Sequence, residues 1–342
     1  MENELTRKAV SGLASIIIVN YNGKFLMTSC LEGILKQGYK EFEVIVVDNG
    51  SSDGSVSFLQ ESFPWVRLFA LEKNTGFTGG NIEGLRHAKG EWIVLLNNDA
   101  LLCHDWLAIM TFEMKSEPAL GLCASRLVIE GTRLLDAAGD AFTTAFSGTK
   151  IGEMHDIEEY AERRLVPGAC AAAAIYRRSM IDDIGFLDED FFLNHEDTDL
   201  NMRAWLAGWQ CLYVPEALVQ HKVNATIGRM SDISVYYFTR NSLWVWVKNT
   251  PTFFMLRFLH HRLLYEFSSF VLFCVMQGKW NSYSRGKYHS LRGLPGMVRK
   301  RKLLQGKVRL TGKQIRKELI PVPFYLVERL KLVWNKKKAK QD

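Results

Sequence analysis

No Cys-x-x-Cys pair occurs among the six cysteines, which stand far apart at positions 30, 103, 123, 170, 211 and 274. That spacing rules out a disulfide scaffold and reads against a zinc site, so the thiols read as buried cysteines of a reduced compartment. Long apolar runs are missing too. The longest uncharged apolar stretch near the C-terminus, Phe267–Gln277, has 11 residues, whereas a helix needs roughly 20 to cross a hydrocarbon core. The first apolar run, Ile16–Val19, is too short and too β-branched for a secretory leader. There is no G-x-G-x-x-G after the first strand and no G-x-x-x-x-G-K-[ST], which argues against a dinucleotide site and a P-loop nucleotidase. Internal repeats are absent.

The 342 residues are 47% hydrophobic and 23% charged, enough for a sizeable core and against wholesale disorder. The net charge of +6 hides an asymmetry. Residues 279–342 carry 19 Lys and Arg against Glu318, Glu328 and Asp342, a net +16, whereas the first 278 residues are net −10. An acidic body with a basic end suggests a polyanionic surface as partner.

Along the first hundred residues two periods alternate. Ala14–Asn20 and Phe42–Asp48 are β-branched runs, and between them Leu26, Cys30 and Ile34 recur at helical spacing. Strand, helix, strand at this spacing is a βαβ unit with parallel strands. The pattern continues with a helix around 52–61, a strand around 66–71, a helix around 81–88 and a strand at 92–96, the first half of a doubly wound α/β sheet. Beyond Pro118, strands are expected at 121–129 and 170–176. The stretch 150–166 reads as a mobile polar loop, and 194–207 as a helix ended by Gly208. Two short strands are expected at 210–214 and 218–221, around Pro215. From Tyr236 onward the texture is helical, aromatic and basic.

Ligands of open α/β sheets bind beyond the carboxyl ends of the strands. There the sequence places Asn20-Tyr21-Asn22, Asp48-Asn49-Gly50-Ser51-Ser52-Asp53-Gly54 and Asn97-Asn98-Asp99, polar clusters suited to a nucleotide or a sugar. Lys73 through Asn81 is a glycine-rich turn leading into a helix. It reads equally as a cradle of backbone amides for phosphate or as a plain N-capped loop. Asn194-His195-Glu196-Asp197 opens a helix, with Asn194 as N-cap and Asp197 at its third position, where an acid favours the helix dipole. Asp199 and Arg203, four apart, read as a surface pair.

These pieces together resemble glycosyltransferase family 2 with the GT-A fold, in its rhamnosyltransferase-like branch. The resemblance rests on Ile16 through Asn22, Val46 through Gly54, Asn74 through Asn81, Leu95 through Asp99, His195 through Leu200, the Pro215 to His221 segment and Arg240-Asn241. It covers roughly residues 14–250. It implies a GT-A catalytic domain over 1–235, with a doubly wound, mostly parallel sheet; residues 236–342 read from their own charge and texture as a helical, basic, membrane-associating extension. It implies donor contacts from Val19, Asn20, Tyr21, Asp48, Asn74, Gly79, Asn81 and Asn98, with Asp48 accepting from a pyrimidine imide and Tyr21 packing on the base. Asn97-Asn98-Asp99 stands where the family has its D-x-D motif. Asp99, His221 and Asn97 are then the candidate ligands of Mg2+ or Mn2+, with an Asn where the family pattern has its first acid. Asp197 is implied as the general base of an inverting transfer, with Glu196 and Asp199 behind it.

The implied substrates are a nucleoside-diphosphate sugar, foremost a dTDP-linked deoxyhexose such as rhamnose with a UDP-sugar close behind, and a glycan or lipid-linked sugar acceptor. The basic C-terminal part interleaves Trp280, Tyr283, Tyr288, Leu291 and Leu294 with cations, and ends in a Leu326, Leu330, Trp334 stripe beside Lys336-Lys337-Lys338. Such a segment suits an anionic membrane surface, here the inner face of the cell membrane, and no nucleic-acid reader motif accompanies it. A helical subdomain packed on the core or on a second copy of the chain is the alternative. Two other classes of protein stay open: a catalytically idle nucleotide-sugar or membrane-binding protein, favoured by Asn97, and a sugar nucleotidyltransferase, disfavoured because Asn20-Tyr21-Asn22-Gly23 is not its glycine-rich loop.

Overall fold

The computed structural model describes residues 9–223 and 230–338, with side chains as far as Lys331. The side chains of Trp334 and Lys336-Lys337-Lys338 therefore lie outside the described part. The chain forms two compact units, one of residues 1–140 and 150–229, the other of 141–149 and 230–342.

In the first unit, β1 (Val10–Asn20), β2 (Phe42–Asp48), β3 (Arg67–Ala70) and β4 (Gly90–Asn97) pair in parallel in the order β3-β2-β1-β4. The helices α1 (Lys24–Leu35), α2 (Ser55–Ser62) and α3 (Gly76–His87) are the crossovers between them. Because side chains alternate along a strand, the β-branched runs feed two cores. Ile16, Ile18, Val44, Val46, Val94 and Leu96 join Cys30, Leu31 and Ile34 of α1 on one face, while Ile17, Ile45, Val47, Ile93 and Leu95 join Leu85 of α3 on the other.

The sheet continues through β5 (Ala100–Leu102), β6 (Leu120–Ile129), β7 (Leu135–Ala137), β10 (Arg164–Val166), β11 (Ala173–Arg177) and β12 (Gln210–His221). The strand β11 lies antiparallel between β4 and β6, and β12 runs parallel to β6. Three helices cover this half: α4 (Trp106–Ser116), α5 (Arg178–Ile184) and α6 (Glu196–Leu206). The hairpin of β8 (Asp140–Phe142) and β9 (Gly148–Lys150) has its tip in the second unit. The result is a mixed α/β fold with a mostly parallel central sheet and a helical C-terminal region.

Four expectations need correcting. The stretch 150–166 is structured: Lys150 ends β9, a 3-10 helix at Ile157–Tyr160 is started by an Asp156/Glu159 capping box, and β10 joins the sheet. The two short strands around Pro215 are one strand, β12, whose register shifts between Val214 and Leu218. A bulge there accommodates a residue without an amide hydrogen. Helix α3 starts at Gly76, so the glycine-rich stretch lies inside its first turns. Helix α6 starts at Glu196 with His195 as N-cap, because Asn194 and His195 both take left-handed φ angles, 64° and 69°. Asp197 is thus the second helical residue.

The second unit is helical: α7 (Asp232–Asn249), α8 (Thr252–Arg257), α9 (Leu259–Phe270) continued by a π-helical turn at Val271–Met276, α10 (Trp280–Arg292), α11 (Leu294–Gln305), α12 (Gly312–Glu318) and α13 (Val322–Lys338). The basic helices are integral to it. Helices α10 and α11 pack on α7, Tyr283 is buried with Val235, Phe273 and Cys274, and Trp244 donates to the Ser290 carbonyl at 2.9 Å. No helix among the described residues is long and apolar enough to cross a membrane.

Candidate active site

The carboxyl ends of β1, β2 and β4 meet in one hydrogen-bonded chain. Asn98 donates to Asn20 Oδ1 at 2.9 Å, Asn20 donates to Asp48 Oδ2 at 3.0 Å, and the Ser51 amide donates to Asp48 Oδ1 at 2.9 Å. Asp48 is buried and binds these strand ends together. Each of its oxygens keeps acceptor capacity for one further donor. Tyr21, next along the chain, is exposed, as a ring that packs on a ligand must be.

The other predicted donor-binding residues serve the fold more visibly. Asn74 Oδ1 accepts from the Gly76 amide at 2.8 Å, and the Thr78 amide is taken by the Phe192 carbonyl at 3.1 Å. Two opening amides of α3 are therefore held within the fold. Asn81 is buried and donates to the Phe77 carbonyl. Gly80 and Gly84 let α3 lie directly on Val19 and Ile17 of β1, while a side chain at Gly79 would meet Thr75 of its own turn. Asn49, which sequence reasoning passed over, braces this region by holding the Thr75 amide and hydroxyl and the Gly76 carbonyl.

Past Asp99 the chain turns into β5, which pairs antiparallel with the end of β12, so that His221 stands opposite Ala100. His221 Nε2 lies 3.3 Å from Asp99 Oδ1. That oxygen is buried and has no hydrogen-bond partner among the described residues. On its other side, His221 Nδ1 lies 3.0 Å from Asp136 Oδ2, and the Asp136 carboxylate is gripped by Lys150 at 2.6 and 2.7 Å. Burial works against the charge on His221, but the Asp136 and Asp99 carboxylates outweigh it and raise its pKa to about 9. Burial would also raise Asp136, yet His221 and Lys150 hold it well below the ordinary carboxylate range.

A buried carboxylate oxygen without a hydrogen-bond partner beside an imidazole nitrogen fits a hard divalent cation that displaces the imidazole proton on binding. Asp99 and His221 would supply two ligands, and Asp136 would orient the imidazole from behind. Asn97 ends β4 on the same edge, with its side chain half-buried. Among the described residues no group of three or more His, Cys, Asp or Glu is arranged to hold a metal on its own. A cation here needs ligand oxygens from elsewhere, as a diphosphate supplies.

Asp197 is half-buried and accepts from the Thr198 amide at 2.6 Å. Burial raises its pKa, while the Thr198 and Ala171 amides and Lys150 pull the other way. Its neighbours Asp140 and Glu196 are buried carboxyls raised by the same cause and by the charge of Asp197. Lys150 grips Asp136, and its charge also favours the ionised forms of Asp140 and Asp197. Asp199 is no surface residue. It and Arg203 form a buried pair, and Arg203 also donates to the carbonyls of Ile184, Gly185 and Phe186. Leu200, Ala204 and Ala207 are buried and dock α6 on the sheet.

Residues 15–185 match the model of Glycosyl transferase family 2, half of the chain. The chain belongs to that family. Glycosyltransferase GlyA of Streptococcus pneumoniae is 23% identical over 220 residues, covering 61% of this chain and 30% of GlyA. N-acetylglucosaminyl-diphospho-decaprenol L-rhamnosyltransferase of Mycobacterium tuberculosis is 26% identical over 219 residues, covering 54% of this chain and 68% of that protein. Among solved structures, the mannosyltransferase PcManGT of Pyrobaculum calidifontis, in complex with GDP-Man and Mn2+, aligns with a TM-score of 0.51 at 17% identity, covering 89% of this chain and 87% of that one. That likeness extends to the fold alone. The match to GlyA spans less than a third of its length.

Asp136, Asp140 and Lys150 are the site residues that motif reasoning missed. Leu135-Asp136-Ala137-Ala138-Gly139-Asp140 did carry a signal, since two acids in a run of small apolar residues are buried charges that need partners. Lys150 had no local signal at all.

Proposed function

We propose that this chain is an inverting glycosyltransferase that moves a sugar from a nucleoside diphosphate to a hydroxyl of a growing glycan. The observation that carries the reading is the gathering around Lys150 of the Asp99–His221–Asp136 chain and the Asp197 carboxylate, from segments far apart in sequence. Asp99 and His221 would hold a divalent cation, Mg2+ or Mn2+, which supplies Lewis-acid neutralisation of the departing diphosphate. Asp197 takes the proton of the acceptor hydroxyl as that oxygen bonds to the anomeric carbon. The bond from that carbon to the diphosphate breaks on the opposite face and the diphosphate leaves with the electron pair, so the configuration inverts. One carboxylate suffices, because a neutralised diphosphate departs without a proton.

For the donor we infer a pyrimidine nucleotide, dTDP or UDP, read by Asp48 at its imide and by Tyr21 at its ring, with a deoxyhexose such as rhamnose foremost. The acceptor is a lipid-linked sugar. Residues 1–235 carry the transfer, and 236–342 attach the enzyme to an anionic membrane surface on the cytoplasmic side. The charge of the last 64 residues and the rhamnosyltransferase relative support this part of the reading.

The test is nucleotide release from a panel of nucleoside-diphosphate sugars, with and without a lipid-linked acceptor, in Mn2+ or Mg2+ and then in chelator. Turnover of one donor that stops in chelator is the expected result. Silence in every condition, together with no metal-dependent nucleotide binding, would return the protein to the idle-fold class.

A further inference from the structure

Several cations of the second unit are held by its own groups. Arg262 and Lys287 share Glu266, Arg301 donates to the carbonyls of Val247 and Thr250, and Lys279 pairs with Asp232. Four are not. Arg257 of α8 and Lys313, Arg316 and Lys317 of α12 have no carboxylate partner among the described residues, yet they rim one open groove of about 570 Å³. Its floor is aromatic, formed by Phe253 and Phe254.

The local sequence sets up this arrangement. Phe254 is buried and stacks on Phe258 with ring centroids 5.4 Å apart, which fixes the floor. Helix α12 is started by a Thr311/Gln314 capping box and anchored by buried Ile315, so Lys313, Arg316 and Lys317 are left exposed. On α8 and α9 an apolar row stands in solvent: Leu256 is 81% exposed, Leu263 62% and Phe267 63%, with Leu259 between them in sequence. Leu259, Leu263 and Phe267 are four apart and share one helix face.

We propose that this groove binds the phosphate headgroup of an anionic membrane lipid, with the exposed row of α8 and α9 entering the apolar part of the same leaflet. The inference rests on the membrane-surface reading above and narrows it from a diffuse basic region to one site. Unpaired cations over an aromatic floor match an anion attached to hydrocarbon, and the neighbouring leucines give that hydrocarbon somewhere to lie. A free polyanion such as RNA would use the cations but leave the leucine row in water.

The experiment sediments the full chain with vesicles of phosphatidylcholine, alone or with about a third phosphatidylglycerol. Two variants remove the same charge: Lys313→Gln/Arg316→Gln/Lys317→Gln at the groove, and Arg292→Gln/Arg299→Gln/Lys302→Gln at exposed positions of α10 and α11. The groove triple is expected to lose about tenfold or more in partition onto the anionic vesicles, and the control triple less than about threefold. Leu259→Ser/Leu263→Ser should weaken binding without any change of charge. Helical circular dichroism like that of the parent chain checks that each variant is folded. Equal losses in the two triples overturn the groove and leave a diffuse membrane attraction standing. No sedimentation of the parent chain with anionic vesicles overturns the membrane reading and the groove with it.

Discussion

A half-buried base with carboxyls around it must lose its proton against its surroundings, and this sets the pH behaviour of Asp197. Burial raises its pKa, so the ionised form that accepts a proton is depleted up to a higher pH than for an ordinary carboxylate near 3.9. The acid limb of kcat/KM is therefore expected above that value, and a limb at or below it would remove Asp197 as the base. The stability sign is opposite to the activity sign. A carboxyl whose folded pKa is raised stabilises most at low pH and loses that contribution as pH rises through the folded value. Asp197→Asn should lower kcat by roughly 10²–10⁴ with nucleotide affinity retained. Asp136→Asn tests the other end of the site. If Asp136 orients His221, Mn2+ affinity in the presence of UDP, read by electron paramagnetic resonance, should fall about 10–100-fold while metal-free UDP binding holds. Unchanged Mn2+ affinity would reduce Asp136 to a structural ion pair with Lys150.

At the scale of elements, α6 has to present Asp197 while its next acid is anchored. Asp199 and Arg203 are one turn apart and both buried, and Arg203 also closes the carbonyls at the end of α5. Removing one partner strands a buried charge, so Arg203→Met is expected to cost about 3–5 kcal/mol in urea unfolding. Asp199→Asn/Arg203→Met should cost clearly less than the sum of the single changes, because the stranded carboxylate has gone. Additive costs would mean that Arg203 acts only through the α5 carbonyls. The bulge at Pro215 matters for a similar reason: it absorbs a register shift midway along β12, and the strand continues to pair with β6 as far as His221.

For the whole molecule, the ligand-dependent stability should belong to the first unit, where every candidate site residue lies. A diphosphate nucleotide at 100 times its Kd stabilises that unit by about 2.7 kcal/mol. The transition should shift further with UDP or dTDP in Mn2+ than in chelator, because a cation would join the diphosphate to Asp99 and His221. A full shift in chelator would show that the nucleotide is held without a cation. The second unit argues against deletion as a test of membrane binding. Removing residues 279–342 would take Tyr283 out of its cluster with Val235, Phe273 and Cys274 and uncover α7. Point substitutions on the exposed face are the clean probe.

By itself the sequence determined the parallel half of the sheet. A strand buried on both faces must be a continuous β-branched run, and Ile16–Val19 and Val44–Val47 can be little else. It also placed Asn20, Asp48, Asn98 and Asp99 on one edge, because strands that run parallel end together. Only the tertiary structure decided what those residues do there. The ordered chain at 150–166 and the left-handed pair Asn194-His195 depend on contacts that no local window contains. The same holds for Asp136 and Lys150, which acquire their meaning only when β7, β9 and β12 bring them to His221. Hydrophobic period is a local property and can be read along the chain, whereas a buried charge is stable only beside a partner that the fold supplies from elsewhere.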